Sequence, residues 1–196
     1  MASWFGSMMW DVKYAESRWW LVLAVLADLV LLILIMTCLI TDLRERKIYN
    51  KVVFPAVAAG IVLNTAQLGL PGLRTSIAGF ITGILIFLVP FALGGLGAGD
   101  VKLLGAVGAL KGPLFAVYAA LAAALIGGVL ALLVLLWQCK LLSTLKRLGM
   151  AMFILLRGGG GSMAQLLLER TPYSSLIPYG LPIFLGTIAA YLYSFC

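Results

Sequence analysis
Long apolar runs alternate along this chain with short polar or glycine-rich interruptions, and the length of each run decides what it can be. A helix needs about 20 apolar residues to cross a bilayer's hydrocarbon core. Residues 19–40 meet that length and open on Trp19 and Trp20, placed as an interfacial aromatic belt. Residues 52–68 come next, adequate if the helix begins nearer Asn50. Pro71-Gly72 predicts a break, and residues 74–93 a third span. The stretch Gly94-Gly-Leu-Gly-Ala-Gly99 is too glycine-rich for a stable helix interior and predicts a second break. Residues 101–110 would make a helix of only about 15 Å, so this segment must start deep in the membrane, take residues from the glycine break, or be re-entrant. Lys111-Gly-Pro113 ends it, residues 114–137 span, and residues 174–195 form the last crossing. The pattern predicts an all-α integral membrane protein of about six transmembrane helices, one short or broken after the glycine-rich loop.

Composition supports the membrane reading. Of 196 residues, 63% are hydrophobic and 11% charged, against about 25% charged in soluble domains. The net charge of +7 sits on basic residues clustered between apolar segments, which points to topology determinants and lipid headgroups and not to nucleic acid. Asp11, Lys13, Glu16 and Arg18 precede a first run long enough to span, so no cleavable signal peptide is expected. Cys38, Cys139 and Cys196 form no Cys-x-x-Cys pair and histidine is absent, so neither a metal site nor a disulfide framework is expected.

The basic residues also set orientation. Arg44, Arg46, Lys47 and Lys51 come after the first span, and Lys140, Lys146, Arg147, Arg157 and Arg170 after the fifth; the loop after the second offers only Arg74. The positive-inside rule then puts residues 1–18 outside as an extracytoplasmic segment, both basic loops in the cytoplasm, and, after six crossings, the carboxyl terminus outside. Residues 19–196 form one polytopic domain whose cytoplasmic loop covers about 138–173. In that loop Leu141, Leu142, Leu145, Leu148 and Met152 recur at helical spacing, an amphipathic interfacial helix, before a flexible linker at Gly158–Gly161.

Two aspartates stand out. Asp42 and Asp100 each lie at the end of an apolar run, where a membrane protein normally excludes charge. Counting crossings puts both at cytoplasmic helix ends. Two carboxylates in a poorly solvated place cannot both ionise easily, and a pair sharing one proton is the working unit of an aspartic peptidase. Taken singly, each has a plainer reading: Asp100 as a helix cap after a glycine loop, Asp42 as surface charge among Arg44, Glu45, Arg46 and Lys47. Gly97 and Gly99 remove side chains where a substrate backbone would approach, and Lys102 is either a charge partner for Asp100 or an interfacial residue. Asp28 lies about 21 Å before Asp42 along a helix and about 40° off its face, too far for the pair; lining a hydrated interior or bonding to Asn64 or Gln67 suits it. Cys38, one turn before Asp42, is expected to pack.

These residues resemble the type IV prepilin peptidases, membrane aspartic peptidases with a Gly-x-Gly-Asp signature. Gly97-Ala-Gly-Asp100-Val-Lys-Leu103 matches the signature with its usual continuation, and Gly105 and Gly108 suit the helix after it. Asp42-Leu-Arg-Glu-Arg-Lys-Ile-Tyr-Asn50 matches the second motif, with Tyr49 where proline is usual; Pro178-Tyr-Gly180 is similar to a third element. The resemblance implies catalytic Asp42 and Asp100, with Gly97, Gly99, Lys102, Asn50, Pro178 and Gly180 supporting the site or binding substrate, and no cofactor. It implies a prepilin or pseudopilin substrate whose basic leader is removed at the cytoplasmic face of the bacterial inner membrane, with the pilus assembly machinery as a further partner. The chain has room for neither the cysteine-motif loop nor the amino-methyltransferase region of larger members, so it resembles the short, peptidase-only form serving tight-adherence (Flp-type) pili.

Two other readings compete. A non-enzymatic transporter or assembly-scaffold subunit would also use broken helices and intramembrane charge, but no internal repeat is present. A presenilin-like intramembrane peptidase shares Gly-x-Gly-Asp, yet pairs it with Tyr-Asp and Pro-Ala-Leu, whereas here Thr41 precedes Asp42 and Tyr179-Gly180 succeed Pro178. The charge pattern makes a direct prediction. In intact cells, an impermeant thiol reagent should leave cysteines placed at 44–51 and 140–170 unlabelled and tag one near Pro71; labelling of the basic loops from outside would invert the orientation.

Overall fold
The computed structural model describes residues 19–92, 95–137 and 179–195. Within them the chain forms six helices and no strand: α1 Trp19–Glu45, α2 Asn50–Leu68, α3 Leu70–Ala92, α4 Ala98–Lys111, α5 Pro113–Trp137 and α6 Gly180–Phe195. Four of them (α1, α2, α3 and α5) are long and apolar enough to cross a membrane, and α6 is a shorter apolar helix. Residues 1–18, the loop at about 138–173 with its amphipathic stripe and glycine linker, and Pro178 lie outside the described residues. The outer surface is apolar on α1, α3 and α5 alike, with Ile33, Val89 and Leu125 exposed. Such a surface is stable only against lipid or another apolar partner.

Three boundaries differ from the sequence pattern. α1 runs past Ile40 to Glu45, so Asp42 stands on the helix and not beyond it; the helix stops at Arg46, which takes a left-handed φ of 52° and whose N–H donates to the Asp42 carbonyl at 2.9 Å. The turn between α2 and α3 lies at Gly69, with φ 64°, not at Pro71-Gly72. Pro71 and Gly72 fall in the first turn of α3, where a missing N–H costs nothing. Gly72 is needed there because a Cβ would lie 1.9 Å from the Asn64 carbonyl oxygen. Finally, α4 takes Ala98 and Gly99 from the glycine stretch and runs on to Lys111, which gives it 14 residues, about 21 Å.

That short helix is the centre of the molecule. From Val101 to Leu110 every residue except Lys102 is buried, against α3 most extensively and also against α2, α5, α1 and α6. Glycines let the backbones touch. A Cβ on Gly79 would lie 2.0 Å from the Gly108 oxygen, and one on Gly83 2.5 Å from the Leu104 oxygen, so α3 and α4 run antiparallel in direct main-chain contact. Gly60 of α2 meets Ala109 in the same way, and Gly186 of α6 meets Ala119 and Ala123 of α5. Small residues at helix crossings are what membrane packing favours, since dispersion contacts replace the hydrophobic effect.

The last carbonyls of α4 lack intrahelical partners and lie where lipid offers none. Ser76 Oγ donates to the Ala109 oxygen at 2.7 Å, and Asn64 Nδ2 donates to the Ala109 and Leu110 oxygens at 3.0 and 3.1 Å. The packing gives a graded expectation. Gly79→Val should destabilise the fold by about 3 kcal/mol or more, whereas Gly128→Ala, where a Cβ meets nothing within 4 Å, should stabilise by at most about 1 kcal/mol. Unfolding in mixed micelles with increasing denaturing detergent measures both.

Candidate functional site
α1 and α4 deliver one carboxylate each to the same end of the bundle. Asp42 is 7% exposed and its Oδ2 accepts the Gly180 N–H at 2.7 Å. Gly180 is the first residue of α6, so its N–H is free for such a bond. No other residue fits there: a Cβ at 180 would lie 2.6 Å from Asp42 Oδ2. Asp100 is 6% exposed and is the third residue of α4, its Oδ2 accepting the Gly97 N–H at 3.1 Å. It is therefore not the cap residue itself but the residue that reaches back to it, as in half of a capping box. Each carboxylate is thus oriented by one main-chain N–H at the start of a helix.

The two side chains are close enough for the charge of Asp42 to act on Asp100. Cys38, only 1% exposed, lies within the same electrostatic reach of both, and Tyr179 within reach of Asp100. Sequence reasoning alone assigns neither of these to the site. The available signal for Cys38 is its place one turn before Asp42, and for Tyr179 its adjoining Gly180. Proximity and burial make it costly for both carboxylates to be ionised at once. Such a pair can activate water with one oxygen and donate a proton with another.

The segments bearing the two aspartates also interlock. A Cβ on Gly99 would lie 2.8 Å from the Ile48 Cβ, so the space left by that glycine is filled by Ile48 and is not open to an incoming peptide; Gly97 is exposed. Lys102 does not pair with Asp100. Its Nζ donates to Asn50 Oδ1 at 3.1 Å and lies 5.8 Å from the centre of the Phe54 ring. Tyr49 donates to Glu45, whose carboxylate raises the phenol above its usual pKa. Asp28 faces Lys111, and not Asn64, at the other end of α4. Among the described residues no cluster of three or more His, Cys, Asp or Glu could hold a metal ion.

A family model described as the type IV leader peptidase family matches residues 29–132. The match takes in just over half of the chain, including Asp42 and Asp100, and the chain belongs to that family. No curated protein and no solved structure matches it. Family and fold together define an all-helical membrane protein of the leader-peptidase class, with two buried carboxylates at one end of its bundle. Gly180→Ala tests the site geometry, since the added methyl must displace the Asp42 carboxylate. Peptidase turnover by the membrane-embedded protein should fall by about tenfold or more, while Gly128→Ala leaves it unchanged.

Proposed function
We propose that this chain is an aspartic endopeptidase that removes the basic leader from type IV prepilins or pseudopilins at the cytoplasmic face of the bacterial inner membrane. The observation that carries the reading is that Asp42 and Asp100, on separate helices, are both buried and near enough for the charge of one to act on the other. Family membership supports the peptidase class. The charge bias around residues 44–51 supports the cytoplasmic side, where the junction between a basic leader and a hydrophobic segment would meet the two carboxylates.

In this reading, one carboxylate takes a proton from the attacking water, and the protonated partner donates to the scissile carbonyl oxygen as the tetrahedral intermediate forms. The first carboxylate then passes its proton to the leaving amine, the carbon–nitrogen bond breaks, and the partner takes a proton back from a hydroxyl of the collapsing intermediate, so the pair returns to its singly protonated state. The roles belong to the pair, because closely coupled groups titrate together. The Gly180 and Gly97 N–H groups hold the carboxylates in place between these steps. The Asn50–Lys102 contact at the edge of the site supports the loop beyond Asp42. No cofactor has a role in this sequence of steps. Within the family, the short, tight-adherence (Flp-type) form is the one that the sequence resembles.

Asp42→Asn and Asp100→Asn should each reduce leader removal by about a thousandfold or more while the protein stays folded in the membrane. Co-expression with candidate prepilins, and then purified-enzyme assays, read this out. Near-normal processing by either variant overturns the assignment.

A further inference from the structure
At the end of α4 away from the two carboxylates, three helices meet through a second polar cluster. Lys111, the last residue of α4, forms an ion pair with Asp28 of α1, and its Nζ lies 5.2 Å from the centre of the Tyr191 ring of α6. The Tyr191 hydroxyl also lies within electrostatic reach of Asp28. Asp28 lies nine positions after Trp19, about 13 Å along α1, so the pair sits well inside the span and not at its rim. An ionisable group at that depth is expensive to keep unpaired. Lys111 and Asp28 side chains are 23% and 32% exposed, but the paired Asp28 oxygen is itself shut off from solvent.

The helices joined here are the ones that assemble the Asp42–Asp100 site. α1 carries Asp42, α4 carries Asp100, and α6 supplies the N–H that holds Asp42. The buried seam of α1 runs through Leu31, Leu34, Ile35 and Cys38 between Asp28 and Asp42, so both aspartates terminate one packed face. Along that seam the side chains are apolar and make no directional bond to α4. Among the described residues, Asp28–Lys111 is the polar tie that joins α1 directly to α4. Moving α4 along its axis by one turn, about 5.4 Å, would break it.

We propose that Asp28 and Lys111 are positioning residues for the peptidase reaction: their ion pair fixes the axial register of α4 against α1, and with it the spacing of Asp42 and Asp100. The inference rests on the reading of those two aspartates as the catalytic pair. Tyr191 closes the pair from the third side and ties the register of α6 to it.

The test uses the full chain in membranes, with Asp28→Asn, Lys111→Met, the double variant, and Lys111→Arg as the charge-keeping control. Turnover is normalised to folded protein. Asp28→Asn and Lys111→Met should each lower kcat by about tenfold with KM within about twofold, and Lys111→Arg should retain kcat. The double variant leaves no unpaired charge, so its folding should recover towards wild type while kcat stays low. A second readout needs no activity. Asn50→Cys and Lys102→Cys, at positions whose native side chains touch, with Cys38, Cys139 and Cys196 replaced by alanine, should be cross-linked readily by a short bifunctional thiol reagent in the parent and several-fold less in Asp28→Asn or Lys111→Met.

Unchanged cross-linking together with wild-type kcat in both single variants overturns the proposal. So does a loss of total activity that merely tracks the loss of folded protein, or a double variant with full kcat. If the parent chain cleaves no prepilin, the catalytic reading fails, and the cross-linking result alone decides whether the ion pair sets the register.

Discussion

Main-chain contact at α4 is the constraint on which the rest depends. A helix of 14 residues cannot cross a bilayer unaided, so it survives only if other helices surround it and satisfy its ends. Gly79 against Gly108 and Gly83 against Leu104 bring α3 close enough to exclude lipid, and Ser76 and Asn64 take up the final carbonyls. Enclosure in turn keeps Asp100 at the first turn of a helix that has almost no exposed face. A longer, self-sufficient span would have needed no such wrapping, and could have carried its carboxylate towards lipid.

Much of the architecture was legible because bilayer thickness is a simple ruler. Runs of about 20 apolar residues read directly as helices, and Lys111-Gly-Pro113 read correctly as a stop because Gly112 takes φ 89° and Pro113 opens α5. Errors arose where tertiary contact overrode local propensity. Proline and glycine at 71–72 read as a break, yet Gly72 is there to let the Asn64 carbonyl approach. The polar residues after Ile40 read as a loop, yet α1 keeps its hydrogen bonds to Glu45, since helices commonly extend past the hydrocarbon into the headgroup zone.

The two carboxylates of the candidate site were legible in the sequence, and their supports were not. Asp42 and Asp100 announce themselves because charge next to apolar runs is rare. Gly99 announces itself too, but its sequence does not say what occupies the space it leaves, and the occupant is Ile48. Lys102 invited pairing with Asp100 because the two are neighbours in sequence; residues two apart on a helix face different directions, and Lys102 meets Asn50 instead. The partners of Asp28 required knowing which helices run side by side, and spacing within α1 alone carries no such information.

The hydrogen bond from Gly180 to Asp42 joins positions 138 apart in the chain. Synthesis proceeds from the amino end, so α1 with its aspartate enters the membrane long before α6 exists. Until then the Asp42 carboxylate lacks the N–H that orients it, and the space that Gly180 will occupy stands open. A ribosome-bound intermediate containing α1 through α5 holds both aspartates but not the finished site. Translation order therefore completes the surroundings of Asp42 only with the last described helix.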